Sequence, residues 1–169
     1  MAALPSIPAN DLIRVEEVED GAFFAGEIFR QAFGDELPGF SSHLVAFYQA
    51  ARNCFVVVGY VHCTVRDDLC FCGGLVLDER AIRRMPASHQ TALRSSGGVG
   101  RRLLDEASRR FAQLPALWAM VGDEPMRETF HSAKFEAAPA PNLMVRWHAD
   151  SGDSARAEVL RRVIDVGSF

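Results

Sequence analysis

The chain has 169 residues, of which 49% are hydrophobic and 24% are charged, and its formal net charge is −4. This composition predicts one folded domain of ordinary size and excludes a collagenous chain, a disordered chain and a small disulfide scaffold. No apolar run approaches the roughly 20 residues of a membrane span, and residues 1–10 lack the pattern of a signal peptide, so a cytoplasmic protein without membrane contact is predicted.

The charge is distributed unevenly along the chain. Residues 1–78 contain 11 acidic and 4 basic residues, whereas residues 79–169 contain 11 acidic and 14 basic residues. A nucleic-acid-binding protein usually presents a broad basic face, so no nucleic-acid partner is predicted. The asymmetry would suit an anionic ligand near the second half of the chain and a cationic ligand near the first half. It is equally compatible with surface charges that contact only solvent.

The first elements follow a flexible tail predicted over residues 1–10. A short strand is predicted over 12–15, and Asp20 then stands where a helix N-cap is expected. Apolar residues at helical spacing predict a helix from there to about Phe33, which Gly34 would end.

The middle of the chain is rich in apolar residues. Residues 42–51 carry them at helical spacing, so a second helix is predicted there. Residues 55–65 are dense in β-branched and aromatic side chains, which predicts one long strand or two strands joined near Gly59. A turn is predicted at 66–68.

The next strand, predicted over 69–77, contains the adjacent glycines Gly73 and Gly74. Glycine inside a strand often marks a bulge or the close approach of another backbone. Four cysteines lie in these strand-like segments. Their spacing and apolar context do not fit a zinc site, so all four are predicted to be buried reduced thiols: Cys54, Cys63, Cys70 and Cys72.

The second half of the chain alternates between helix and strand patterns. In chain order the predicted elements are helical or turn-like structure over 79–96, a glycine-rich loop over 95–100, a helix over 101–113, a strand over 117–121, a helix over about 123–133, a strand over 143–147, a linker over 150–153 and a C-terminal amphipathic helix. This order predicts an α/β or α+β domain around a mixed sheet.

The glycine-rich loop before the helix has the features of an anion site. Gly97, Gly98 and Gly100 allow backbone N–H groups to face a ligand, and a helix start adds unpaired N–H groups and a positive dipole end. Arg101 and Arg102 stand where the dipole opposes cations. A bound polyanion would explain them, and so would two side chains that point into solvent. A Walker loop is excluded because no lysine follows the glycines.

The segments Gly74-Leu75-Val76-Leu77-Asp78 and Gly98-Val99-Gly100-Arg101-Arg102-Leu103-Leu104 resemble the acetyl-CoA-binding motif of the GCN5-related N-acetyltransferase (GNAT) superfamily. The resemblance implies an α+β, three-layer fold with a mixed, mostly antiparallel central sheet, a splayed parallel strand pair and flanking helices. It implies an acetyltransferase-like domain over 11–149, with the linker and C-terminal helix of 150–169 packed on the same domain.

The resemblance also implies which residues would contact acetyl-CoA, the co-substrate, with no metal involved. The pantetheine arm would pair with the backbone of Val76 and Leu77, and the loop from Ser95 to Arg101 would hold the pyrophosphate. The implied set is Val76, Leu77, Ser95, Ser96, Gly97, Gly98, Val99, Gly100, Arg101, Arg102, Asp123 and Phe130.

Three positions depart from the family pattern. Ser95 stands where the family usually has Arg or Gln, and Asp123 stands where Asn is common. Phe130 matches the Tyr that commonly protonates the leaving thiolate, and a phenyl ring cannot donate a proton. Either another group serves as the acid, or the thiolate leaves unassisted, or the protein binds acyl-CoA without transferring the acyl group.

Candidates for proton transfer follow from position alone. Asp78 and Glu79 lie just past the central strand, and His131 is adjacent to Phe130, where the family has its Tyr. All three could equally be surface residues without a catalytic role. His62 is predicted to be a satisfied core histidine. Three further side chains could act only if the fold brings them to the site: His89, Tyr48 and Tyr60.

These patterns predict an acyl-CoA-dependent N-acyltransferase that moves an acetyl group to a primary amine of a small acceptor by direct attack. The acidic first half favours a cationic acceptor, and a homodimer is the assembly to test. The alternatives are a non-catalytic acyl-CoA-binding or sensing domain with the same fold, and a structural domain whose glycine loop is empty.

Overall fold

The computed structural model describes residues 11–39, 41–51, 53–148 and 152–167, so the predicted tail and the first half of the predicted linker lie outside the described residues. The elements in chain order are β1 Ile13–Val18, α1 Gly21–Phe33, β2 Ser42–Ala51, β3 Cys54–Arg66, β4 Leu69–Leu77, α2 Glu79–Arg83, α3 Ala87–Ser95, α4 Gly98–Arg110, β5 Ala116–Met120, α5 Glu124–Ser132, β6 Glu136–Ala137, β7 Leu143–Trp147 and α6 Asp153–Val166. None of the described helices is long and apolar enough to cross a bilayer.

The strands form one seven-stranded sheet in the order β1-β2-β3-β4-β5-β7-β6. Neighbouring strands pair antiparallel except for β4 and β5, which are parallel. A parallel pair requires a crossover connection, and here α2, α3 and α4 supply it. This arrangement confirms the predicted α+β fold with a mixed, mostly antiparallel sheet.

Helices cover both faces of the sheet, as alternating residues of the strands show. Cys70 and Cys72 pack in one core cluster with α4 and α5, whereas Leu69 and Phe71 pack in another with α6. The α1 helix covers the same face as α6, over the part of the sheet formed by β2, β3 and the end of β4. The molecule therefore has three layers with the sheet in the middle.

The helix predicted over 42–51 is wrong, because Ser42–Ala51 is the strand β2. It pairs with β1 on one side and β3 on the other, and its residues are buried on both faces. Leu44 packs toward α4 while Val45 packs toward α1. A strand buried on both faces loses the alternation of polar and apolar residues, so its sequence is compatible with a helix period.

Other local predictions are confirmed or refined. Asp20 caps α1 by accepting a hydrogen bond from the Phe23 N–H at 2.8 Å, and Gly34 ends the helix with a left-handed φ of 71°. Residues 55–65 belong to one strand that passes through Gly59. The fourth helix begins at Gly98 rather than at residue 101, and Cys54 is exposed rather than buried.

Candidate active site

The site is built where the parallel strands β4 and β5 separate. Their pairing covers Cys70 to Cys72 of β4 and ends at the pair Cys72 and Ala119. Beyond that point the backbone polar groups of β4 that face β5 have no partner in that strand. A free strand edge inside the molecule can pair with an extended ligand, as an edge strand pairs with a peptide.

A bulge in β4 lies at the point of separation. Across the β3–β4 pair, His62 is opposite Gly73 and Tyr60 is opposite Val76, so β4 contains one extra residue between the two pairs. Gly74 has a φ of 61°, a conformation that glycine adopts without strain. The predicted bulge is therefore present, and it turns the backbone of Gly73 and Gly74 toward the gap.

The gap is a cleft of about 200 Å³. Its lining combines the bulge with the ends of three other elements: Phe33 of α1, Cys72 to Leu75 of β4, Met120 to Asp123 at the end of β5, and Met126 and Phe130 of α5. Because α1 and α5 lie on opposite faces of the sheet, the cleft passes between the two strands from one face toward the other. Asp123 supplies the charged side chain of this lining.

The glycine-rich loop is shorter than the predicted 95–100: α3 ends at Ser95, residues 96 and 97 form a turn, and Gly98 and Gly100 lie in the first turn of α4. Gly97 and Gly98 have φ values of 91° and 81°, which strain any residue with a side chain. Gly100 lies where α4 meets α5, because a Cβ atom there would be 2.6 Å from Cγ2 of Thr129. Leu75 and Leu77 lie 3.8 and 3.9 Å from the same position, so the start of α4 adjoins the free end of β4.

The two arginines at the start of α4 have partners within the protein. Arg101 Nε lies 3.4 Å from a carboxylate oxygen of Asp105, and Arg102 donates to Ser96 Oγ at 3.2 Å. Burial, together with the nearby Arg101, lowers the pKa of Arg102. The two arginines do not therefore require a polyanion to explain them, and the anion-site prediction now depends on the backbone N–H groups of 98–100.

Asp78 and Glu79 lie past the end of β4, outside the cleft lining. Asp78 caps α2 by accepting hydrogen bonds from the N–H groups of Arg80 and Ala81 at 3.0 and 2.9 Å. Glu79 is 62% exposed and lies 3.9 Å from Arg83. Both residues line a shallow groove between α1 and α2, together with Val76 and Leu77.

His131 is exposed and its Nδ1 lies 3.0 Å from the carbonyl oxygen of Phe135, so its ring is directed to the C-terminal end of α5. Phe130, by contrast, is 3% exposed and lines the cleft. Asp123 lines the cleft as well and caps α5 through the Met126 N–H at 2.9 Å. The catalytic and cofactor-binding roles of all these residues stay predictions.

The remaining candidates occupy two hydrogen-bonded pairs. Tyr48 shares a hydrogen bond of 2.7 Å with His89 of α3, and Tyr60 shares one of 2.7 Å with His43. Burial raises the pKa of both tyrosines. Neither Tyr lines the cleft, and within the described part of the chain no group of three or more His, Cys, Asp or Glu could hold a metal ion.

Sequence reasoning missed the apolar mouth of the cleft and its neighbouring histidine. Phe33 and Met120 are 50% and 43% exposed although both are large and apolar. His62, expected to be a satisfied core residue, is half-buried and its Nδ1 has no hydrogen-bond partner among the described residues. The sequence did contain a signal for His62. The long strand over 55–65 was predicted next to the strand with Gly73 and Gly74, and pairing of these two strands places His62 beside the glycines.

Comparison with known proteins supports the fold. No family model matches the chain, and no curated protein matches its sequence. Among solved structures, the ribosomal-protein-S18-alanine N-acetyltransferase from Escherichia coli superposes with a TM-score of 0.53 at 13% identity, covering 83% of this chain and 97% of that protein.

Two other structures are similar over most of their length. Escherichia coli ElaA gives a TM-score of 0.44 at 13% identity, with 79% of this chain and 99% of ElaA covered. The structure of AtaTR bound with AcCoA gives a TM-score of 0.43 at 13% identity, with 89% of this chain and 98% of that chain covered. TM-scores below 0.5 do not define a shared fold, so the fold assignment rests on the S18-alanine N-acetyltransferase alone. The chain has the fold of the GCN5-related N-acetyltransferases, as the resemblance of its glycine-rich segments implied.

Proposed function

We propose that the chain is an acyl-CoA-dependent N-acyltransferase that moves an acetyl group from acetyl-CoA to a primary amine. The observation that carries this proposal is the cleft between β4 and β5, where a bulged strand with a free edge meets the glycine-rich start of α4. The fold shared with an N-acetyltransferase is consistent with it.

The chain's residues suit acetyl-CoA in three ways. The free edge of β4 beyond Cys72 supplies backbone partners for the amide groups of the pantetheine arm. The N–H groups of Gly98 to Gly100, in the first turn of α4, suit the pyrophosphate, since a helix N-terminus favours an anion. The N–H of Gly97 already donates to the carbonyl oxygen of Arg94 at 3.1 Å. The bulge places the backbone of Gly73 and Gly74 in the lining of the cleft, where an N–H group could polarise the carbonyl oxygen of the thioester.

The acceptor side of the cleft is apolar. Phe33 and Met120 line the α1 side of the gap and are partly exposed, whereas the acidic residues Glu17 and Glu19 line a separate depression with His43. The charge asymmetry of the sequence therefore does not describe the lining of the cleft. A primary amine that carries a small apolar or aromatic group fits this mouth better than a polycation.

A non-catalytic acyl-CoA-binding domain is the alternative, and Phe130 is the observation that favours it. Its side chain lines the cleft but has no hydroxyl to protonate a leaving thiolate. Both functions require acetyl-CoA binding, and only the enzyme releases free CoA when an amine is present.

The first experiment is thermal unfolding with acetyl-CoA, CoA and ATP. A ligand at 100 times its Kd stabilises the folded chain by about 2.7 kcal/mol, which should raise Tm by roughly 5–10 °C for a domain of this size. We expect shifts with acetyl-CoA and CoA but not with ATP. No shift with any of the three would reject both functions.

Gly98→Asp is the variant that tests the location of the site, and Gly39→Asp is its control for an added carboxylate. No heavy atom lies within 4 Å of a Cβ at either position, and Asp tolerates a positive φ better than most residues. A carboxylate at the start of α4 should abolish the shift with CoA, whereas one at Gly39 should preserve it.

Thiol release then distinguishes the enzyme from the binding domain. The acceptor panel is phenethylamine, tryptamine, spermidine, glycinamide and a short peptide with a free alanine N-terminus. We expect CoA release above the rate without amine, and the highest rates with phenethylamine or tryptamine. CoA binding without release for any amine would favour the binding domain.

A further inference from the structure

His62 lies beside the cleft in a position that the function proposed above does not yet use. Its Cα pairs with that of Gly73 in β4 and with that of His43 in β2. A Cβ atom on Gly73 would lie 2.6 Å from Nε2 of His62, and one on Gly74 would lie 2.7 Å from Cε1. The imidazole therefore covers the two bulge glycines on the α1 side, and the space it occupies exists because both positions are glycine.

The surroundings of the ring keep it neutral and fixed. The ring centroids of Phe29 and Tyr60 lie 6.2 and 5.9 Å from that of His62. Burial, together with the nearby His43, lowers the pKa of His62 to about 4. The imidazole is therefore uncharged at neutral pH and has a nitrogen lone pair available.

Resting on that proposed function, we propose that His62 accepts the proton of the attacking amine at Nε2 and returns it to the departing sulfur. The amine nitrogen forms a bond to the thioester carbonyl carbon, and the bond from that carbon to sulfur breaks. The sulfur leaves with the electron pair. His62 holds the amine proton between these events, so the balanced products are an amide and a free thiol without any further reactant.

The direction of proton transfer follows from the acidity of the nitrogen. An amine nitrogen becomes much more acidic as it forms a bond to the carbonyl carbon, because an N-protonated amide is a stronger acid than an imidazolium. An imidazolium is in turn a stronger acid than a thiol. His62 can therefore receive the proton from nitrogen and donate it to sulfur, which supplies the acid that Phe130 lacks.

The other titratable groups of the cleft are less suited to this role. The Asp123 carboxylate is engaged as the cap of α5. Hydrogen bonds with the neighbouring thiols, together with burial, raise the pKa of Cys72, whose Sγ lies 3.5 Å from that of Cys63. Asp78 and Glu79 lie outside the cleft lining. His62 is outside the lining as well, but its ring packs directly against Gly73 and Gly74, which line the cleft, and this contact distinguishes it from Asp78 and Glu79.

Tyr60 and His43 pack beside His62 as a hydrogen-bonded pair. Tyr60 is fully buried, and its hydroxyl and His43 Nδ1 lie 2.7 Å apart. This hydrogen bond fixes the Tyr60 ring against which the imidazole packs.

The test is the pair of variants His62→Gln and His148→Gln, assayed with acetyl-CoA and the best amine of the panel. His148 bonds to Ser108 and to the carbonyl oxygen of Leu114, away from the cleft lining, and serves as the matched control. Because general acid–base catalysis typically contributes about 10² to 10⁴-fold, we expect kcat of His62→Gln to fall by that factor while the Kd for acetyl-CoA changes less than about twofold. His148→Gln should keep kcat within about twofold.

A kcat of His62→Gln within about threefold of wild type would overturn the role of His62. A wild-type chain that does not bind acetyl-CoA, or releases no thiol with any amine, would instead reject the proposed function, and the role of His62 would fall with it. The two failures are therefore distinguishable.

A spectroscopic measurement tests the same role of His62 without an acceptor amine. It also applies if the His62→Gln variant does not fold. Proton acceptance at Nε2 requires the neutral ring to carry its hydrogen on Nδ1. Because Nδ1 is buried and has no hydrogen-bond partner among the described residues, no protein acceptor selects this tautomer, and the measurement decides it. The ¹⁵N chemical shifts of His62 in the wild-type chain saturated with acetyl-CoA should report that tautomer at neutral pH. A ring protonated on Nε2 would exclude it as the acceptor.

Discussion

Arg146 of β7 and Asp105 of α4 form an ion pair with 2.7 Å between Nη1 and Oδ1. The same Nη1 donates to the carbonyl oxygen of Ala133, just past the end of α5, at 2.8 Å. Asp105 also lies 3.4 Å from Arg101 at the start of α4. Arg146 thus connects β7 to α4 and to the end of α5 through direct polar contacts.

Arg146→Met should therefore destabilise the chain. The Arg146 side chain is only 18% exposed, so its loss removes the donor from one carboxylate oxygen of Asp105 and from the carbonyl oxygen of Ala133, while Arg101 still contacts the other oxygen of Asp105. We expect a loss of about 1–3 kcal/mol in the free energy of unfolding, measured by urea denaturation. Arg161→Met is the control, because Arg161 is 64% exposed and pairs only within α6. Equal urea midpoints for Arg146→Met and wild type would contradict the prediction.

The contact between Gly100 and Thr129 predicts an energetic coupling between α4 and α5. Helix propensity alone would make Gly100→Ala stabilising by about 1 kcal/mol. The added Cβ would lie 2.6 Å from Cγ2 of Thr129, however, so we expect a net destabilisation.

Thr129→Ser removes that Cγ2 and should relieve the clash. The double variant Gly100→Ala/Thr129→Ser should be more stable than Gly100→Ala, whereas Thr129→Ser alone should not stabilise the wild-type chain. Urea denaturation of the four chains gives the coupling energy. Additive effects of the two substitutions would show that the helices separate freely at this point.

The β4 bulge and the glycine loop could be predicted from sequence because local chemistry specifies them. Gly73 and Gly74 interrupt a strand pattern, and Gly97 and Gly98 precede a helix pattern; both positions require conformations that favour glycine. The same holds for the ends of α1, which Asp20 and Gly34 set by local hydrogen bonds.

The parts that could not be predicted depend on contacts between distant segments. Strand β2 was misread because burial on both faces is a property of the assembled sheet and not of residues 42–51 alone. Phe33 ends α1 and Met120 ends β5, and only the three-layer packing brings both to the mouth of the cleft. His62 became a candidate when the strand register placed it over the bulge.

The cysteines predict a simple pattern of thiol reactivity. Cys54 is exposed at the start of β3, whereas the other three cysteines are buried. Hydrogen bonds with neighbouring thiols, together with burial, raise the pKa of Cys63 and Cys72, which further protects them. Hydrogen bonds with the same two thiols lower the pKa of Cys70 to about 5, so Cys70 is protected by its burial alone. The native chain should therefore show one thiol that reacts rapidly with an aromatic disulfide reagent, and four in denaturant. Cys54→Ser should remove the rapid reaction, and rapid reaction of a second thiol would contradict the buried packing.

The stability of the chain should fall in mild acid, partly because of His62. Its pKa is about 4 when folded, against about 6.5 for an unperturbed histidine. Between these values the unfolded chain binds a proton that the folded chain does not, so the free energy of unfolding rises with pH. His43, whose pKa is also lowered by burial, acts in the same direction, whereas Asp20 and Glu17 near it oppose the shift.

Replacing His62 by Gln removes this titration and should flatten the dependence. The slope of unfolding free energy against pH should decrease by up to about 1.4 kcal/mol per pH unit between about pH 4.5 and 6, measured by urea denaturation of both chains at each pH. Above about pH 7 the two curves should run parallel, because the histidine is then neutral in both states. Parallel curves throughout the acid range would mean that the folded chain protonates His62 as readily as the unfolded chain, and that its ring is not desolvated beside the bulge.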